Sequence, residues 1–184
     1  MKVSVKIGLG VAVLWMLFAL TMLWLGKSQE GFEIGIFINV FLLLCAVGTG
    51  LFLTRRKDGF AETSFLEDFK TCMQSGIIYA IFISLFVYAY HEYIDTSIRE
   101  ALHERTMAAV HKSVPDEETY QKLQKDDPTW KRKSFDDYLE NQEDQSRALG
   151  SSKSVAIFHL AGLIFFCFFY SFFATLILRK VVLR

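Results

Sequence analysis

Apolar residues along this chain gather into four long blocks, and nearly all charged residues lie between or beyond them. A helix of a soluble protein keeps one wet face and carries polar residues along its whole length; these blocks do not. A helix needs about 20 mostly apolar residues to cross the roughly 30 Å hydrocarbon core of a bilayer. The blocks cover residues 7–25, 34–54, 76–94 and 155–178. The first is uncharged and has Trp24 near its end, and the third closes on Tyr88, Tyr90 and Tyr93, as interfacial aromatics should. The fourth is dense in phenylalanine. The fold class expected is an all-α integral membrane domain over residues 1–184. It has four transmembrane helices and a helical exterior insert, residues 95–154, between the third and fourth.

Lys2 and Lys6 ahead of the first block suit a secretory signal as well as a span. The run is longer than the about 7–15 apolar residues of a cleaved signal, and Gly26-Lys27-Ser28-Gln29 is a poor cleavage site. A retained span is expected. Orientation follows from Lys and Arg near the span ends. Lys2 and Lys6, then Arg55, Arg56, Lys57 and Lys70, then Arg179, Lys180 and Arg184 lie on one side in any four-span topology. The first connection has only Lys27 against Glu30 and Glu33. Both termini are therefore expected in the cytoplasm, with the net acidic 95–154 segment in the periplasm or exterior.

The second connection carries two local signals. Arg55, Arg56 and Lys57 would meet anionic headgroups, each charge contributing about 1 kcal/mol; these three are the candidate anionic-lipid contacts, beside their plainer role as topology anchors. Ser64-Phe65-Leu66-Glu67 is a capping box, in which hydroxyl and carboxylate satisfy each other's backbone N–H groups. It predicts a helix start near Phe65, with Phe65, Leu66 and Phe69 on one face of a short amphipathic helix running into the third span.

In the insert, Ser97-Ile98-Arg99-Glu100 has a capping-box pattern, and Ile94, Ile98, Leu102 and Val110 recur near a helical period to about His111. Pro115 and the acids after it mark a second start, Pro128 a break, and Ser134 with Asp136 and Asp137 a third start ending before Gly150. With so few apolar residues, the insert is expected to lack a core of its own and to pack on the membrane domain, a second copy or a partner.

Formal net charge is zero, so no global field points to nucleic acid. Cys45, Cys72 and Cys167 all fall inside apolar blocks, where soft packing residues are expected rather than disulfides. Phosphate loops, dinucleotide turns and nucleophile elbows are missing from the sequence. His91 and Asp95 have the i, i+4 spacing of two zinc ligands on one helix face, but no third ligand stands at a sensible spacing, and ordinary interfacial side chains are the reading adopted. No catalytic, cofactor or metal residue is assigned. Asn39, Gln74, Ser84 and His159 are the candidate intramembrane polar residues, because polar groups at depth are functional candidates; interhelical hydrogen bonding is the competing explanation. Gly31 and Gly35 form a G-x-x-x-G that packing within one chain explains.

The span order and the second connection together resemble a bacterial family of small membrane proteins catalogued as domain of unknown function 4199. The residues concerned are Gly50, Arg55-Arg56-Lys57 with Asp58, Ser64-Phe65, Phe69-Lys70 and Tyr93-Ile94-Asp95. Asp95 stands where proline is common in that family, and Cys72 near a usual glycine. The resemblance implies a four-span protein of the inner membrane of Gram-negative bacteria and no assigned activity. The function expected is a non-enzymatic membrane component, binding a protein partner or a second copy through its exterior helices as well as membrane lipid. The alternative is a small carrier or lipid-handling protein with a polar cavity; an enzyme working at the interface near His91 and Asp95 is the least supported.

Overall fold

The computed structural model describes residues 2–126, 128–131 and 133–181, and they contain helices and no strand. Arg184, counted above among the basic residues, lies outside them. Four helices are long and apolar enough to span a membrane: α1 (Val3–Trp24), α2 (Ser28–Lys57), α3 (Phe65–Ala89, continued by one π-helical turn, Tyr90–Ile94) and α7 (Ser152–Val181). Between α3 and α7 stand α4 (Ser97–Ser113), α5 (Glu117–Asp126), a 3₁₀ turn (Pro128–Trp130) and α6 (Phe135–Leu149). Each spanning helix overruns its apolar block. At about 1.5 Å per residue even α1 reaches about 33 Å, so the charged flanks continue the helix past the hydrocarbon.

The helix ends follow from local chemistry. Both α1 and α2 close in Schellman motifs. Lys27 N–H donates to the Met22 carbonyl and Phe60 N–H to the Arg55 carbonyl, with Gly26 at φ 69° and Gly59 at φ 62°. At α3, Ser64 accepts from the Glu67 N–H at 3.2 Å and Glu67 from the Ser64 N–H at 3.0 Å. The helix then runs unbroken from this box into the span. Phe65 and Phe69 stack at 6.2 Å and meet Phe172 and Phe168 of α7 edge-on.

Lipid is as apolar as leucine, so a bundle is held by close packing and interhelical hydrogen bonds. α2 and α3 form the central pair, with α1 packed across both on one side and α7 across both on the other. Small residues set the approach. A Cβ on Gly8 would run into the Ser75 carbonyl oxygen, and one on Gly76 into Cys167 Sγ. Gly31 and Gly35 face Met22 and Phe18 of α1, so the G-x-x-x-G serves packing within the chain. The three cysteines are free thiols, with Cys72 and Cys167 in the core.

Two expectations for the insert need correction. Ser97 and Glu100 make no capping box: Asp95 accepts from the Ser97 backbone N–H at 3.0 Å and its hydroxyl at 2.6 Å, an Asx turn that starts α4 in its place. The insert also has a small core. Tyr120, Trp130 and Tyr138 are buried with Val114, Trp130 lying edge-on to Tyr138 at 4.9 Å. Tyr120 Oη donates to the Lys133 carbonyl at 3.0 Å. Three aromatics supply enough area to do what the low count of aliphatics did not suggest. The insert rests on the bundle through the buried Ile98 and an exposed pair, Arg105 to Glu33 of α2 at 2.9 Å.

Candidate functional site

Of the four candidate intramembrane polar residues, the fold brings two together. Asn39 of α2, 1% exposed, lies with its Nδ2 2.5 Å from Nε2 of His159 on α7. Tyr79 of α3 completes the chain: its hydroxyl donates to Asn39 Oδ1 at 2.5 Å and approaches the Asn39 carbonyl at 3.2 Å. Three spanning helices are thus tied by one buried polar string. Gln74 lies elsewhere, accepting from Ser4 of α1 at 3.0 Å. Ser84 is buried, and its hydroxyl has no hydrogen-bond partner among the described residues. Sequence reasoning missed Tyr79. The signal was present, because a tyrosine in mid-span stands away from the rim where its hydroxyl normally finds water.

Two clefts meet at this string. One, of about 30 Å³, lies among α1, α2 and α3 and is walled by Trp15, Phe18, Phe32 and Ile36, with Ser28, Tyr90, His91 and His159 as its polar members. The other, of about 330 Å³, is a groove open between α2 and α7, lined by Asn39, Val40, Phe158, His159, Gly162 and Phe166 among others. Phe32, Ile36 and His159 border both. Trp15 fixes one wall by donating its indole N–H to the Gly35 carbonyl at 3.1 Å.

The π turn shapes the mouth of the first cleft. A single π turn inserted in an α-helix marks functional sites frequently. Here the Asp95 N–H bonds the Tyr90 carbonyl at 2.9 Å, so Asp95 leaves the helix extended (φ −139°). The expected common face of His91 and Asp95 is therefore not formed. Asp95 turns to Ser97 and to the Tyr90 hydroxyl at 3.4 Å. Burial raises its carboxyl pKa, but hydrogen bonds from Ser97, Ser28 and Tyr90 outweigh this and hold it below the ordinary range. His91 is 3% exposed, packs edge-on to Phe32 at 5.6 Å, and its Nδ1 has no hydrogen-bond partner among the described residues.

At the opposite end of the bundle the basic triplet divides. Arg56 and Lys57 are exposed, whereas Arg55 is buried with its Nε 3.2 Å from Asp68 Oδ1. Asp68, 1% exposed, also takes Arg179 Nη1 on its other oxygen at 2.8 Å and the Thr63 hydroxyl at 3.0 Å. The cluster joins α2, α3 and α7. Arg55 is therefore committed to the protein and only its two neighbours face outward.

A family profile described as protein of unknown function (DUF4199) matches residues 6–180, which is nearly the whole chain. The protein belongs to the DUF4199 family. No curated protein and no solved structure matches this DUF4199 chain. With four spanning helices and family membership, it is a multi-pass membrane protein, and its site is read from its own geometry.

Proposed function

We propose that the protein is a non-enzymatic membrane component that holds a lipid-like small molecule within its bundle, the lipid-handling or carrier reading. One observation carries it. Asn39 and His159, from different helices, converge on an otherwise apolar groove between α2 and α7, and His159 also borders the smaller cleft. An apolar cavity with a few converging polar groups is the usual form of a small-molecule site. Such a protein would reside in the bacterial inner membrane, with both termini cytoplasmic and residues 95–154 periplasmic, as the Lys and Arg distribution supports. Arg56 and Lys57 then stand at the anionic cytoplasmic headgroups, while Arg55 is withdrawn into the Asp68 cluster.

The test is purification in a mild detergent followed by native mass spectrometry. A stoichiometric bound small molecule is expected, and Asn39→Leu and His159→Phe should each release it without loss of folded protein. Empty wild-type protein sinks the reading.

A second reading, docking of a protein partner or a second copy on the insert, is favoured by the insert's own aromatic core, which gives α5 and α6 a defined shape away from the membrane helices. Deleting residues 116–141 should then abolish co-purification of that partner and leave the bundle folded. An unchanged set of co-purifying proteins counts against it.

A further inference from the structure

A further hollow, of about 320 Å³, lies where the insert joins α7. Arg99, Glu100 and His103 of α4 line one side, and Arg147 of α6 and Ser151 of the turn into α7 line the other. Its depth in the membrane follows from α7. Val155 N–H bonds the Ser151 carbonyl at 2.9 Å, so Ser151 stands one helical turn, about 6 Å, before the residue where the fourth apolar block begins. The headgroup layer is about 5–7 Å thick on each side of the hydrocarbon. The hollow is thus at headgroup level.

The groove between α2 and α7 continues below it on the same face. Ser151, Val155, His159, Gly162 and Phe166 follow one another at helical spacing, which sets them in one line along α7, and the last four line the groove. From Val155 to Phe166 is about 16 Å of helix, roughly half the hydrocarbon core and hence one leaflet. A Cβ on Gly162 would meet nothing within 4 Å, so the groove is open at that level. A polar hollow at headgroup level above a one-leaflet apolar groove has the outline of a phospholipid.

The charges in the hollow select the headgroup. Arg99 uses only Nη1, 3.4 Å from both Glu92 Oε2 and Ser152 Oγ. Arg147 uses Nε and Nη2, both on Glu143 Oε1. Each guanidinium has five N–H donors, so both keep some for a second anion, and exposed ion pairs of this kind hold them only weakly. Glu100 is exposed, and its carboxylate has no partner among the described residues. Two cations with spare donors beside one free carboxylate complement a phosphate carrying an amine. An anionic headgroup would leave Glu100 unbalanced. Choline's methyl groups hold its charge off a carboxylate and leave it no N–H to donate.

Resting on the lipid-handling reading above, we propose that the occupant is an ethanolamine phospholipid from the leaflet on the insert side. Its phosphate takes the spare donors of Arg99 and Arg147, its ammonium meets Glu100, and one acyl chain lies in the groove past His159 and Gly162.

The test titrates the purified protein in mild detergent with ethanolamine, choline and glycerol phospholipids of identical chains, read by native mass spectrometry. One ethanolamine lipid per chain is expected, bound about fivefold tighter than the choline lipid, equivalent to about 1 kcal/mol, the size of one exposed ion pair. Glu100→Gln should erase that preference. Arg99→Gln combined with Arg147→Gln should weaken all three lipids. Gly162→Leu, which fills the groove, should weaken all three alike and leave the melting temperature unchanged. Equal affinity for the ethanolamine and choline lipids overturns the proposal. So does a preference that survives Glu100→Gln, undiminished binding in Gly162→Leu, or chain-free phosphoethanolamine binding as tightly as the lipid. Should the preference be missing while the protein retains another small molecule that His159→Phe releases, the ethanolamine assignment falls and the lipid-handling reading stands. Protein that holds neither sinks both.

Discussion

Asn39 and His159, 120 residues apart in the chain, meet nitrogen to nitrogen at 2.5 Å. The contact ties α7 to α2 inside the bundle, and Tyr79 extends it to α3. A polar side chain in hydrocarbon has no water to fall back on, so each member depends on the next. Interhelical hydrogen bonds in membrane proteins nonetheless average only about 0.6 kcal/mol, with a maximum near about 1.7, because the separated helices also find partners.

A double-mutant cycle on Asn39→Leu and His159→Phe should therefore give a coupling of about 0.6–1.7 kcal/mol in thermal or denaturant unfolding. Tyr79→Phe should be destabilising by a similar amount, since it removes the donor that orients the amide. Strict additivity of the two substitutions would mean that the pair is not formed in the folded protein.

The Asp68 cluster is expected to weigh more. Removing one member of a buried ion pair leaves an uncompensated charge and costs about 3–5 kcal/mol. Asp68→Ala strands Arg55, whose side chain is 6% exposed, and should lower stability by about that amount. Arg179 is 35% exposed, so water can take its place, and Arg179→Ala should cost much less. Equal losses in the two variants would contradict this ranking, and chemical denaturation in one detergent measures both.

The architecture was legible because hydropathy is the strongest signal that a membrane chain carries. Four long apolar runs, with Glu92 near the end of the third as their one acid, read as spanning helices, and the Ser64-Glu67 capping box and the helix start at Ser134 formed where the sequence put them. The site was only half legible. Asn39 and His159 stood out as polar residues at depth, but nothing local states which of four such residues face one another, since that depends on how the helices are rotated. Arg55 shows the same limit. Its neighbours Arg56 and Lys57 point outward, and a turn of about 100° per residue is what carries it to Asp68. The π turn at Tyr90–Ile94 shifted His91 off Asp95, which straight α-helical spacing does not foresee. The insert's core was missed because apolar residues were weighed by number, and three buried aromatics outweigh several aliphatics in area.

Glycine substitutions separate packing from open space. A Cβ at Gly8 meets the Ser75 backbone carbonyl, which cannot move without shifting α3, so Gly8→Ala should destabilise by the about 1–3 kcal/mol of an overpacked core. Gly162→Ala meets nothing and gains helix propensity of about 1 kcal/mol relative to glycine, so it should be neutral or stabilising. Thermal unfolding of the two proteins side by side is the measurement, and a loss in Gly162→Ala comparable to that in Gly8→Ala would show that the groove is closed in the folded protein.

Asp95 gives the junction between α3 and α4 a dependence on acid. Its carboxylate is held below its ordinary pKa by hydrogen bonds that outweigh burial. A group with a depressed folded-state pKa contributes stability above its unfolded pKa, for an aspartate about 3.9, and loses it as the pH falls through the lower folded value. The contribution is thus complete at neutral pH and fades below about pH 4. Asp95→Asn keeps an oxygen that can accept from the Ser97 N–H but no longer titrates, so its melting temperature should fall less steeply than the wild type's over that acid range. Asp95→Ala removes the acceptor altogether and should cost about 0.5–2 kcal/mol at neutral pH, as loss of a helix cap does. Parallel acid profiles for wild type and Asp95→Asn would mean that the carboxylate is not the group that ties Ser97 and Tyr90 together.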